Sequence, residues 1–210
     1  MSSRLAVLLT LCCTLIAGAA HAQALPSPTV EYSADRLIES EAGNFSGKVY
    51  AARDKERMET TMQGMQSITI LRRDQQASYM LMPSHHMYQQ TDFAKAKQQS
   101  GATPDDVEIT EVGPDTIEGR PTTKYKLLMK DHSAGGFIWI TQEGIAVKMD
   151  TVSKEGGGKQ RMTMTLSNLQ IGPQDPQLFE VPSDYTAMPS MGKGMGALGA
   201  LGSMFKGKGH

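Results

Sequence analysis

The sequence predicts a mainly β protein built on one antiparallel sheet, and three observations carry that prediction. Strand-like segments follow one another at close spacing, separated by glycine-containing or charged breaks. In "RMTMTLSNL" (residues 161–169), Met162, Met164 and Leu166 point one way and Arg161, Thr163, Thr165 and Ser167 the other. Strict period two of this kind means one buried face and one wetter face. A convincing helical pattern occurs only in "TDFAKAKQQS" (residues 91–100), where Thr91 or Asp92 can serve as the cap.

The elements follow in chain order. Arg4 and the apolar run from Leu5 to Gly18 precede Ala20-His21-Ala22, a small-x-small cleavage signature, so residues 1–22 read as a secretory signal peptide. Cys12 and Cys13 fit a lipidated cysteine poorly, because Leu11 stands where a small residue is expected. Both cysteines leave with the leader, so the mature chain has neither a disulfide nor a thiol nucleophile and must rest on its core. Residues 23–187 are long enough for one such core in a single domain. Loss of Arg4 changes the formal charge from −1 to −2, which gives no basic excess for nucleic acid and no acidic block for disorder.

Strands are expected at "TVEYSADRLIES" (29–40), "NFSGKVYAA" (44–52), "ERMETTM" (56–62), "SITILRR" (67–73) and "ASYMLMP" (77–83). After the helical stretch come "RPTTKYKLLMK" (120–130), "GFIWITQ" (136–142), "IAVKMDTVS" (145–153) and "KQRMTMTLSNLQI" (159–171), with a short helical turn at "DPQLF" (175–179). Residues 188–210 are Gly- and Met-rich and read as a disordered tail; the alternative is that its Met, Leu and Phe side chains touch a membrane surface.

The densest chemistry lies in "YMLMPSHHMYQQ" (79–90). Met80, Met82, His85, His86 and Met87 are ligand types that Cu(I) accepts, which makes a periplasmic copper protein one alternative. Alternation, however, puts Met80 and Met82 on one strand face, and Pro83 ends the strand before the histidines. The preferred reading is apolar methionines plus turn histidines, with no metal and no cofactor. No catalytic constellation stands out. His132 lies in the loop "KDHSAGG", Asp105-Asp106 follow Thr103-Pro104 as a cap or turn, and "GGGK" (156–159) lacks the spacing of a phosphate loop. Asn44-Phe45-Ser46 matches a glycosylation acceptor, which a turn position explains equally.

"GKVYAARDKERMET", "SITILRRDQQASYMLMPSHHMYQQ", "EGRPTTKYKL" and "DPQLFEVPSDYTAM" occur in that order, and the likeness they carry covers roughly residues 30–188. This ordered set resembles bacterial exported proteins of the LolA-like superfamily of lipoprotein-carrier folds, and within it a domain family of unknown function. The resemblance implies a curved antiparallel half-barrel with one or two short helices over its concave face, and an apolar concavity for acyl chains. No lipoprotein-handover motif is visible, and fold alone does not define activity.

The expected function is therefore a non-enzymatic periplasmic protein that binds a lipid or lipoprotein acyl chain, as carrier or sensor. A module that binds a partner's peptide is an alternative that wants the same groove. The expected lining is Ile68, Ile70, Met80, Met82, Leu127, Met129, Ile138, Ile140, Met149, Met162 and Met164. One slip in register would invert each strand's set. Desolvation supplies the driving force: at roughly 0.8 kcal/mol per methylene, a chain of about fourteen carbons gains on the order of 10 kcal/mol. A bilayer offers a similar gain, so transient exchange with a membrane is expected.

Overall fold

A computed structural model describes residues 24–41, 43–62, 64–93, 106–155 and 158–188. The signal peptide at 1–22, residues 94–100 of the expected helix and the tail from 189 onward lie outside the described residues.

The described chain forms one sheet of twelve strands: β1 (Tyr32–Ser40), β2 (Gly43–Ala52), β3 (Lys55–Met62), β4 (Met65–Arg72), β5 (Ala77–Met82), β6 (Met87–Asp92), β7 (Val107–Ile117), β8 (Arg120–Met129), β9 (Ala134–Thr141), β10 (Ala146–Glu155), β11 (Gly158–Ile171) and β12 (Thr186–Ala187). Their spatial order is β12-β6-β5-β4-β3-β2-β1-β11-β10-β9-β8-β7. All neighbours run antiparallel except β12, which lies parallel to β6. The sheet is two meanders joined through the long-range pair β1–β11.

The expected half-barrel with helices over a concave face is overturned. The outer strands β12 and β7 do not pair with each other, and the sheet is neither closed nor strongly curled. Among the described residues the helical pieces in the connections are 3-10 turns at Arg73–Gln75, Pro83–His85 and Pro176–Phe179, with single helical residues at Phe93 and Asp106 bounding the β6–β7 link. The reason is local. Successive hairpins close through two to four residues, several of them in the left-handed region: Arg53, Gln76, His86 and Glu118 all have positive φ. Glu118-Gly119 has positive φ at both positions (48° and 77°), the twist-matched turn that joins adjacent strands tightly. Such hairpins leave no room for a helix; the longer β6–β7 link, residues 93–106, is described only at its two ends. Of the expected helix at residues 91–100, Thr91 and Asp92 end β6 as strand and Phe93 is helical.

Register separates the two faces. One row of direct cross-strand neighbours reads Tyr125–Ile138–Met149–Met164–Ile38–Phe45 over β8, β9, β10, β11, β1 and β2. The adjacent row, one residue along each strand, reads Lys126–Phe137–Asp150–Thr163–Glu39–Asn44 and is mostly polar. Successive side chains point to opposite faces, so the first row belongs to an apolar face and the second to a wetter one.

The wetter face is covered at one end by the C-terminal segment. The Pro176–Phe179 turn, opened by Asp175 whose Oδ1 accepts from the Gln177 amide at 2.9 Å, sets Phe179 onto Ile68, Ile70 and Leu81. The Arg57 guanidinium donates to the Leu178 carbonyl at 3.1 Å and Arg72 to that of Phe179 at 3.3 Å, so the segment's carbonyls are satisfied as it is buried.

Tyr32 belongs to the cluster with Ala34, Val49, Ala51 and Leu166. Burial first, then the Glu56 carboxylate, push its pKa up to about 12, against a smaller pull from Arg73 and Arg36. The folded value lies above the ordinary value of 10.0, so the stability this burial contributes is complete below about pH 10 and lost as pH rises toward 12. Tyrosinate absorbance in an alkaline titration should show one tyrosine ionising about two units late, together with loss of the β signal in circular dichroism. Ionisation of all tyrosines near pH 10 in a still-folded protein would contradict this.

Candidate apolar binding face

Nine of the eleven lining residues expected from the sequence share one face. Ile138, Met149 and Met164 stand in the apolar row; Ile140, Leu127, Met129 and Met162 alternate with its members along their strands. The row continues across the sheet. Val49, in phase with Phe45 on β2, pairs with Met58, Met58 with Thr69 and Thr69 with Met80, which puts Met80 and its strand-mate Met82 on the same face. Ile68 and Ile70 are out of phase with Thr69 and lie on the opposite face beneath Phe179.

The same register carries a pattern that single strands do not show. Met58, Met62, Met65, Met80, Met82, Met87, Met129, Met149, Met162 and Met164 are all the methionines that lie in the described strands, and every one is on this face. Met62 pairs with Met65, Met82 with Met87 and Met149 with Met164. Sequence reasoning missed Met58, Met62, Met65, Phe45 and Ile38 as members of the face. Each alternates correctly within its own strand, but only the pairing of neighbours brings them together.

Burial along the face is graded. Tyr125, Ile138 and Ile140 are buried and packed with Leu25 of the N-terminal segment, which the Thr29 amide ties to the Glu143 carbonyl at 2.9 Å. Met149 and Met164 are half-buried, while Met80 and Met162 are each 37% exposed. An acyl chain could be accommodated where thioethers are open to solvent, not where Leu25 already packs.

Among the polar groups on this face, Arg36 stands directly across from Leu166 on β11 and Gly47 on β2. Its Nη2 donates to Thr60 Oγ1 at 2.9 Å. Burial lowers the Arg36 pKa, opposed by the charges of Glu56 and Tyr32.

In the Met/His segment Met80, Met82 and Met87 share the apolar face, while the histidines fall in the turn between the strands. Pro83–His85 forms the 3-10 turn and His86 follows with φ 48°. The His86 Nδ1 lies 2.7 Å from Asp184 Oδ2 and its ring stacks at 5.4 Å on Tyr185, so this imidazole is engaged by the C-terminal segment. His85 contacts Ser84 Oγ at 2.9 Å. Among the described residues no cluster of three His, Cys, Asp or Glu side chains is placed to hold a metal. His132 sits in a turn whose Asp131 accepts from the Ser133 amide and hydroxyl.

A cleft of about 430 Å³ lies apart from all eleven expected residues. Glu118, Arg120, Asn168 and Gln170 give it a polar rim, and the Arg120 guanidinium is already bonded to the Leu169 carbonyl at 2.9 Å. Ile117, Val147, Leu166 and Leu169 form its apolar part.

Known proteins bear on the fold and the family. An uncharacterised conserved protein from Thermus thermophilus has a similar fold, with 12% identity, a TM-score of 0.53, and coverage of 76% of this chain and 90% of that one. The MucA/MucB complex of Pseudomonas aeruginosa is matched at 13% identity and a TM-score of 0.49, over 77% of this chain and 59% of that one. The Mycobacterium tuberculosis lipoprotein LppX is matched at 12% identity and a TM-score of 0.39, over 65% and 85% respectively. No curated protein sequence is significantly similar. The resemblance to a domain family of unknown function holds: the chain belongs to the domain of unknown function DUF4412, whose model matches residues 37–148, more than half of its length.

Proposed function

We propose that this protein is an exported, non-enzymatic binding protein that takes up a lipid or lipoprotein acyl chain on its methionine face. The observation that supports this most is the segregation of all ten methionines of the described strands onto one side of a twelve-stranded sheet. Burial alone does not ask for methionine, since the opposite face is packed with Ile68, Ile70, Leu81 and Phe179. Thioethers are flexible and polarisable, and a surface made of them adapts to chains of differing shape. The apolar leader at residues 1–22 supports export to a compartment with access to membrane lipid.

Binding proceeds by desolvation: acyl methylenes leave water and cover the neighbouring Met149, Met162 and Met164. The test is a pair of glutamates on one strand. Met162→Glu puts a charge on the methionine face at a position exposed enough to keep the fold, whereas Thr163→Glu puts it on the other face. Uptake of a fluorescent fatty acid should fall roughly tenfold or more for Met162→Glu and persist for Thr163→Glu. Equal uptake by both variants would remove the methionine face as the site.

A further inference from the structure

Arg36 is a lone cation in apolar surroundings. On its own strand its face-mates are Ala34 and Ile38; across the sheet lie Leu166 and Gly47, and the flanking rows carry Phe45, Val49 and Met164. Gly47 has no side chain, and a Cβ there would strike the Glu59 carbonyl, so β2 and β3 approach closely at this point. The Arg36 side chain therefore passes unobstructed over β2 to reach Thr60 Oγ1 at 2.9 Å. Among the described residues that neutral hydroxyl is its hydrogen-bond partner, and no ion pair involves it. Glu56, the carboxylate that acts on it from a distance, is engaged by Arg73 at 3.0 Å.

A guanidinium has five N–H donors, and one half-buried on an apolar sheet loses water without gaining an anion. The arrangement is unfavourable for the unliganded protein and well suited to an acid group that arrives with its own apolar chain.

We propose that Arg36 is the head-group residue of the methionine face: its fork receives the acid oxygens of an anionic amphiphile whose chain lies along the neighbouring thioethers. This rests on the acyl-binding reading above and narrows it to ligands that carry a carboxylate or phosphate. Two parallel N–H···O bonds from the free edge of the guanidinium match either acid, and a neutral ester or alcohol cannot form the charged pair.

The experiment compares cis-parinaric acid with its methyl ester on the mature protein. The wild type should favour the acid by roughly tenfold or more, the size of one charge-assisted contact in a partly dry site. In Arg36→Met the acid-to-ester ratio should fall to near one, and in Arg36→Lys, which keeps charge but not the fork, it should lie between. Arg36→Met should melt cooperatively at or above the wild-type temperature, since it removes a desolvated charge; if it does not fold, Arg36→Lys supplies the comparison. Displacement of bound parinaric acid by oleate or by oleoyl lysophosphatidic acid, but not by monoolein, supports the proposal and tells carboxylate from phosphate. Acid and ester binding the wild type equally overturns the role of Arg36 and leaves acyl binding standing. Binding of neither overturns the acyl reading itself.

Discussion

Phe179→Ala is expected to destabilise the protein by about 4 kcal/mol and to lower its melting temperature by roughly 10 °C. Phe179 is 1% exposed, and its ring fills the space over Ile70 and Leu81, both with no measurable exposure. Truncation removes the aromatic burial and leaves a cavity that the sheet cannot close, because Ile68, Ile70 and Leu81 are held in register by β4–β5 pairing. The consequence reaches beyond the site. Phe179 anchors the segment that leads to β12, whose bonds from the Thr186 amide to the His86 carbonyl and from the Met188 amide to the Tyr88 carbonyl cover the β6 edge. Hydrogen exchange in the variant should therefore rise first in β6 and β12. Urea unfolding that shows a loss below about 1 kcal/mol would mean that the segment is not packed as described.

Arg72→Met is expected to cost about 2 kcal/mol through hydrogen bonds that no apolar side chain replaces, chiefly the one to the buried Phe179 carbonyl. Arg72 is 6% exposed. Its Nε and Nη2 donate to the two Asp74 carboxylate oxygens at 2.9 and 2.8 Å, while Nη1 donates to Glu180 Oε1 at 2.6 Å and to the Phe179 carbonyl at 3.3 Å. Both carboxylates reach solvent, at 33% and 57% side-chain exposure, so they rehydrate in the variant and the loss stays below that of a broken buried pair.

A pH signature accompanies it. The Arg72 hydrogen bond, aided by the charges of Arg72 and Lys55, holds the Asp74 pKa below its ordinary value of 3.8. A depressed carboxylate contributes stability that is present above the unfolded pKa and lost as pH falls through the folded one. Stability measured from about pH 6 downward should thus drop below about pH 4 in the wild type, with a smaller drop in Arg72→Met. Parallel acid limbs would show that Asp74 gains nothing from Arg72.

Different parts of the molecule were legible to different degrees. The strands at 29–40, 44–52, 67–73 and 159–171 could be read because alternating apolar residues ended by Gly or charged pairs have few other conformations open to them. The turn histidines and the Pro83 stop were equally readable. β7 was not, although Val107 and Ile109 alternate: Gly113-Pro114 interrupts the pattern, and the structure accommodates them with an irregularity between Glu111 and Gly113 on an edge strand. A proline on an outer strand loses no ladder bond that a neighbour needs. The curvature inferred from resemblance also failed, since the shape of an open sheet follows from twist, bulges and covering segments rather than from strand pattern.

What the amino-acid sequence determined by itself was the two-sided character of each strand and the tight turns between them, because both are local: side-chain direction alternates along any extended chain, and turn residues act over about four positions. It also contained every strand methionine in its correct phase. Tertiary structure alone decided that β1 lies beside β11, which joins the two meanders into one sheet. That pairing merges separate apolar stripes into one methionine face, sends Ile68 and Ile70 to the other side, and leaves Arg36 among thioethers and aliphatic side chains. The physical reason is that phase within a strand carries no information about phase between strands; only the register of hydrogen-bonded neighbours, set by long-range packing, converts one into the other.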